Sequence, residues 1–150
     1  MNHVVNRRQF LKQTSATSAG LVALGSFNVL CAGESPNRKL AVAVMGCNAR
    51  GMVHIENWLG VPNAEISYIC DVDRRALEKG VEAVAKLQQR KPKGEKDIRR
   101  LLEDKHVDVV SIATPNHWHA PATILACNAG KHVYVEKPGS HNPYESQLMM

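Results

Sequence analysis

From residue 39 onward, apolar positions alternate between two textures. An unbroken apolar run at 40–45 and shorter apolar-rich runs at 66–70, 107–113 and 132–136 have the length and bounding residues of strands in a parallel sheet, the first buried on both faces. Between them, apolar residues return every three or four positions. Met52, Ile55 and Leu59 form one such stripe after Gly51; Leu77, Val81, Val84 and Leu87 form another behind the capping residue Asp73, ending by Pro92. A short helix at 97–103 carries Ile98, Leu101 and Leu102 inward, and a longer one runs to Asn128 with Gly130 as its stop. Asn142, Pro143 and Glu145 supply the cap, the first helical position and the third of a last helix. The basic run 88–96 reads as a helix end and solvated loop, within which a short third strand is left unresolved. Strands alternating with helices predict an α/β fold, a Rossmann-type doubly wound parallel sheet.

The first strand runs straight into Gly46-Cys47-Asn48-Ala49-Arg50-Gly51, and a helix follows at once. Such a turn aims backbone N–H groups and the positive end of a helix dipole at one point, which suits a pyrophosphate. Asn48 stands where the G-x-G-x-x-G pattern has its second glycine, and Asn tolerates left-handed backbone angles better than most residues. Asp71 ends the second apolar run 20 residues past Gly51, where that pattern expects an acid for the adenosine ribose hydroxyls.

Parallel strands deliver ligand-binding residues at their carboxyl ends. Thr114-Pro115-Asn116-His117-Trp118-His119 and Glu136-Lys137-Pro138 follow the next two strands and are expected at the same crevice as Gly46 and Asp71. His117 and His119 have no third ligand near them, so they read as pocket-shaping or capping residues rather than a metal pair. Trp118 fits a hydrophobic wall as well as a sugar-stacking platform.

Composition narrows the setting. A chain of 150 residues holds one domain with a real core. The formal charge of +5 owes three units to Arg7, Arg8 and Lys12, which no acid before Glu34 opposes. The mixed remainder and the 5% aromatic content leave no footprint for nucleic acid. Cys31, Cys47, Cys70 and Cys127 form no C-x-x-C pair and read as buried free thiols. Paired arginines, then Phe10, Leu11 and Lys12, then the diluted apolar tract 14–30, look like a twin-arginine signal peptide cleaved near 32–34. Asn28, Val29 and Leu30 ahead of Cys31 fit a lipid-anchor site badly. The expected organisation is a leader at 1–33, a linker at 34–38 and the folded domain at 39–150, with export by the twin-arginine translocation machinery to the periplasm.

The glycine turn, Thr-Pro-Asn-His-Trp-His and Glu-Lys-Pro, in that order on alternating strands and helices, resemble the N-terminal domain of the Gfo/Idh/MocA (glucose-fructose oxidoreductase / inositol dehydrogenase) family across residues 39–150. The resemblance implies NAD, or NADP, bound across the strand ends and a sugar, polyol or related hydroxy compound as substrate. It places Gly46, Asn48, Ala49, Arg50 and Gly51 at the pyrophosphate and Asp71 at the adenosine ribose. Thr114, Pro115, Asn116 and His119 would border the nicotinamide and its ribose, Glu136 would touch the cofactor region, and Lys137 would act at the reacting hydroxyl. An ammonium there stabilises the charge that develops as the hydroxyl proton departs. Relatives carry a second α/β domain with the oligomer surface and most substrate contacts, so the chain is expected to be the first domain, cut within its last helix, of a homo-oligomeric oxidoreductase. An NAD-dependent glycoside hydrolase and a non-catalytic nucleotide-binding module are the other readings.

Overall fold

A computed structural model describes residues 38–150; the expected leader, and the linker up to its last residue, lie outside the described residues. Five parallel strands form one sheet in the order β3-β2-β1-β4-β5, with β1 at Leu40–Met45, β2 at Ala64–Cys70, β3 at Lys93–Glu95, β4 at Val109–Ile112 and β5 at His132–Val135. The helices are α1 at Ala49–Leu59, α2 at Arg74–Leu87, α3 at Ile98–Leu102, α4 at His119–Asn128 and α5 at Pro143–Leu148, with a 3₁₀ turn at Asn116–Trp118 before α4.

Each face of the sheet has its own core, as the apolar runs require. Val42, Val44, Ile66, Ile69 and Val109 pack with Ile55 of α1 and Val84 of α2. On the other face Ala43, Cys70, Val110 and Ile112 pack with Ile98 and Leu101 of α3 and Ala122 and Ala126 of α4. Simple alternation would put Ile66 and Ile69 on opposite faces. A register shift between Val42 and Ala43 against β2 leaves Ser67 out of the ladder and brings both isoleucines to one side. The Ser67 hydroxyl donates to the Val42 carbonyl at 3.2 Å, so the bulge keeps its polar group satisfied.

The helix caps follow the sequence. Asp73 and Asp97 accept from Arg75 N and Arg99 N, and Asn142 accepts from Glu145 N at 2.9 Å while Glu145 accepts from His141 N at 2.7 Å. Two expectations are corrected. Leu87 is 74% exposed, because α2 ends beyond the edge of the sheet core at Val84. Cys127 is exposed on the outer side of α4, whereas Cys47 and Cys70 are buried and free; Cys31 lies outside the described residues. The third strand exists at Lys93–Glu95, a polar edge strand without an apolar run to announce it.

Where β1 meets α1, the backbones touch. A Cβ built on Gly51 would sit 1.6 Å from the Gly46 carbonyl oxygen, a main-chain atom that cannot swing aside. Gly51→Ala is therefore expected to cost at least about 3 kcal/mol, the upper end of ordinary overpacking. Gly139→Ala, with nothing within 4 Å of the new methyl, should stay within about 0.5 kcal/mol of the parent. Urea midpoints of the two variants check this, and equal midpoints would refute it.

Candidate active site

The turn after β1 is pinned from two sides. Gly46 has φ +84°, and a Cβ there would lie 2.8 Å from main-chain atoms of Ala113 and Thr114, so β1 and the end of β4 close on a bare backbone. Gly46 N donates to the Cys70 carbonyl at 2.9 Å and Cys47 N to Asp71 Oδ2 at 2.7 Å, which ties the turn to the end of β2. The first bond of α1 runs from Met52 N to Asn48 O, leaving the N–H groups of Ala49, Arg50 and Gly51 without helical acceptors. Asn48 makes no side-chain cap bond and no acid lies in the first turn, so the positive end of an 11-residue helix faces open space. Asn48 has φ −82°: it occupies its place without the left-handed geometry its residue type allows.

Two clefts open at the carboxyl ends of the strands, on either side of the β1/β4 boundary where the strand order reverses. A cleft of about 530 Å³ is lined by Gly46, Asp71, Val72, Thr114, Pro115 and Trp118, among others. One of about 400 Å³ is lined by Arg50, Ala113, Thr114, Asn116, His119, Glu136 and Lys137. The residues singled out at the strand ends line one of these two clefts, apart from Asn48, the helix-turn backbone and Pro138. Thr114 lines both, and its Oγ1 is buried with no hydrogen-bond partner. A hollow of about 470 Å³ at the amino ends of the strands is a poorer candidate, since three of its cations are matched in Arg38–Asp108, Arg90–Glu65 and Lys93–Asp104.

Asp71 is half-buried and braces the turn: Oδ2 accepts from Cys47 N, and Oδ1 from Asp73 N at 2.9 Å. The arginines behind it are occupied, Arg74 by Glu78 at 2.7 Å and Arg75 by Asp73 at 3.3 Å. Burial pushes the Cys47 thiol up to about 12, with the Asp71 charge adding to it, so this cysteine inside the turn is a packing group and not a nucleophile.

Glu136, at the end of β5, is a hub that sequence spacing did not reveal. Its Oε1 accepts from His54 Nε2 at 2.9 Å and from Arg50 Nε at 2.5 Å, both from α1, and its Oε2 accepts from the Lys137 N–H at 3.3 Å. His54 is 3% exposed, and its Nδ1 lies 2.9 Å from Ser111 Oγ of β4. The only legible trace of His54 was its spacing: it sits beside Ile55 on the inward stripe of α1. The bonds from His54 and then Arg50 hold the Glu136 carboxyl down at about 2, against an ordinary 4.5. Lys137 is exposed and its ammonium pairs with none of the described carboxylates.

His119 lines the smaller cleft, as its place after β4 predicts, and also holds two loops together. It is 1% exposed, with Nε2 2.8 Å from the Thr114 carbonyl and Nδ1 2.6 Å from the Pro138 carbonyl. It straps the loop after β4 to the loop after β5, and neither ring nitrogen is left for a ligand. His117 is exposed, and no group of three or more metal-ligating side chains occurs among the described residues. Trp118, 44% exposed, walls the larger cleft. A glycine cradle, an unspent helix end, the orphan Thr114 hydroxyl and the Asp71 carboxylate together fit a dinucleotide.

Comparison with known proteins gives the same outline. Residues 40–150 match the model of an oxidoreductase family with an NAD-binding Rossmann fold, Gfo/Idh/MocA. A glycosyl hydrolase family 109 protein of Shewanella sp. (strain ANA-3) and an alpha-N-acetylgalactosaminidase of Shewanella oneidensis are each 31% identical over 156 aligned residues, 91% of this chain and 34% of theirs. The chain thus spans about a third of the length of these curated relatives. Among solved structures, the WlbA dehydrogenase of Bordetella pertussis in complex with NADH and UDP-GlcNAcA is 26% identical with a TM-score of 0.67, over 75% of this chain and 33% of that one.

The Glu136 hub predicts an acid response. Because its folded carboxyl titrates below the unfolded value, ionised Glu136 favours the folded state in full above about 4.5, and that contribution is lost as pH falls toward about 2. Glu136→Gln should be less stable than the parent at neutral pH, with the two urea-midpoint curves converging between those limits. Curves that stay parallel would refute the assignment.

Proposed function

We propose, because the chain belongs to the Gfo/Idh/MocA oxidoreductase family with its NAD-binding Rossmann fold, that residues 39–150 form the nucleotide-binding domain of an exported enzyme acting on a hydroxyl-bearing carbohydrate or polyol. The observation that carries this reading is Lys137, an exposed ammonium without a carboxylate partner, in the cleft it shares with Thr114, Asn116 and Glu136. Bound NAD supplies a hydride acceptor. The N–H groups of Ala49, Arg50 and Gly51 hold the pyrophosphate, and Asp71, while bracing the turn, accepts from the adenosine ribose diol. Thr114, Pro115 and Asn116 border the nicotinamide end. Lys137 stabilises the oxygen from which the proton leaves, and Glu136 fixes the main chain that carries it.

Asp71 disfavours a 2′-phosphate by charge, and the two arginines that would welcome one already have acidic partners. NAD is therefore the preferred cofactor. Calorimetry with both nucleotides, followed by turnover of sugars and inositols by the whole-length protein, tests the reading. Tighter binding of NADP would overturn the preference. Lys137→Met should abolish turnover while NAD binding survives, and turnover equal to the parent would overturn the role of the lysine.

A second reading, an NAD-dependent glycoside hydrolase, draws on the name of the Shewanella oneidensis relative. It calls for the same cofactor residues. Cleavage of an aryl glycoside without net NADH production would favour it over the dehydrogenase.

Export rests on Arg7, Arg8, Phe10, Leu11 and Lys12 ahead of the diluted apolar tract 14–30. A route that carries folded proteins suits a domain that must take up its nucleotide in the cytoplasm. Replacing Arg7 and Arg8 by Lys should strand the precursor inside the cell, as read by fractionation, and undiminished export would refute the route.

A further inference from the structure

α1 contributes to the site twice. Its first turn presents the open N–H groups, and one turn further on His54 reaches across the sheet to Glu136. Burying an imidazole is costly unless both nitrogens find partners, and here they do, Ser111 Oγ on one side and Glu136 Oε1 on the other, with Tyr134 edge-on at 5.4 Å between ring centroids. A carboxylate only accepts, so Nε2 carries the proton in this contact whatever the state of Nδ1. The charged and titratable groups around Glu136 are Arg50 and His54 from α1 and the Lys137 ammonium within its own cleft, while Ser111 reaches it through His54. Arg50 is 58% exposed on its side chain and its grip is open to water; His54, at 3%, is the sheltered one.

We infer that His54 is a positioning residue: it fixes the Glu136 carboxylate and thereby locks the nucleotide-binding turn of α1 to the main chain of Lys137. The inference rests on the reading of these clefts as a dinucleotide site. Without His54, Oε1 keeps only the solvent-exposed arginine, and the bond from Oε2 to Lys137 N loses the orientation that the imidazole imposes. Phe at this position keeps the ring volume and deletes both nitrogens. Gln offers an amide N–H near the place of Nε2.

The experiment uses the full chain, folded as judged by amide spectra, with carbon-detected NMR titration of the Glu136 carboxyl and calorimetry with NAD. In His54→Phe the Glu136 titration should move up from the region of 2 toward the ordinary 4.5, and NAD affinity should fall about tenfold, the loss of one hydrogen bond to a charged group. His54→Gln should recover most of both. A packing role alone would leave the Glu136 titration in place and would not distinguish Gln from Phe. An unmoved titration, or unchanged affinity, in folded His54→Phe overturns the inference. If the Phe variant does not fold, nitrogen NMR of the parent decides: a protonated Nε2 bonded to Glu136 supports the inference, and a bare Nε2 overturns it. Failure of the underlying functional reading is distinct, since the parent itself would then bind no NAD.

Discussion

The contact on which the site depends is the approach of Gly51 to the Gly46 carbonyl, close enough that a methyl group would lie 1.6 Å from the oxygen. It decides where α1 begins. Because the helix starts against the end of β1, its unspent N–H groups converge on the boundary between β1 and β4, the place where a parallel sheet leaves a crevice. Just ahead of the helix, the bonds from Gly46 N to Cys70 O and from Cys47 N to Asp71 tie the same turn to the end of β2. The turn is held by packing and by directional bonds at once, which is why it needs no second glycine at 48.

The same helix explains how the two clefts act together. The larger cleft takes its walls from the ends of β1 and β2, the start of α3 and the loop after β4, the smaller from α1 and the ends of β4 and β5, and Thr114 belongs to both. Nothing in a parallel sheet fixes the loops beyond the strand ends relative to one another. Here two imidazoles do so: His54 joins α1 to the ends of β4 and β5, and His119 joins the loop after β4 to the loop after β5. Contacts of modest individual worth thus close a ring of loops around the site.

How much of this was legible depended on whether a residue's job is set by local pattern or by a distant partner. Strands β1, β2, β4 and β5 announced themselves through apolar-rich runs of strand length, and the caps at Asp73 and Asn142 because capping is local. β3 was not legible, since Lys93-Gly94-Glu95 pairs through its main chain at an edge and needs no apolar side chains. The bulge at Ser67 was hidden as well, because a register shift is decided by the neighbouring strand. Leu87 continued the helical period past the point where the sheet could cover it. At the site, glycine turn, Asp71 and Lys137 follow from chain position at strand ends. His54, in contrast, gains its meaning from Glu136, 82 residues away, and no spacing rule reaches that far. For His119 the place beside the strand ends was visible, but not its contacts with the Thr114 and Pro138 carbonyls.

What the carboxyl edge of the sheet has left to offer is settled by which polar groups are already spent. Asp71 is committed to Cys47 and Asp73 main-chain N–H groups, Glu136 to His54, Arg50 and Lys137 N, His119 to two carbonyls, and Arg50 to Glu136. Among the unspent groups are the N–H groups of Ala49, Arg50 and Gly51, the buried Thr114 hydroxyl and the Lys137 ammonium. These are donors, or in the case of the hydroxyl a donor as well as an acceptor. Donors gathered in this way are complementary to the acceptor-rich, negatively charged parts of a ligand, while the Asp71 carboxylate keeps lone pairs for a hydroxyl. Phosphate oxygens at the helix end and a hydroxyl oxygen at the lysine are such groups, and the distance between the two kinds of donor is bridged by the one helix that carries both the turn and His54.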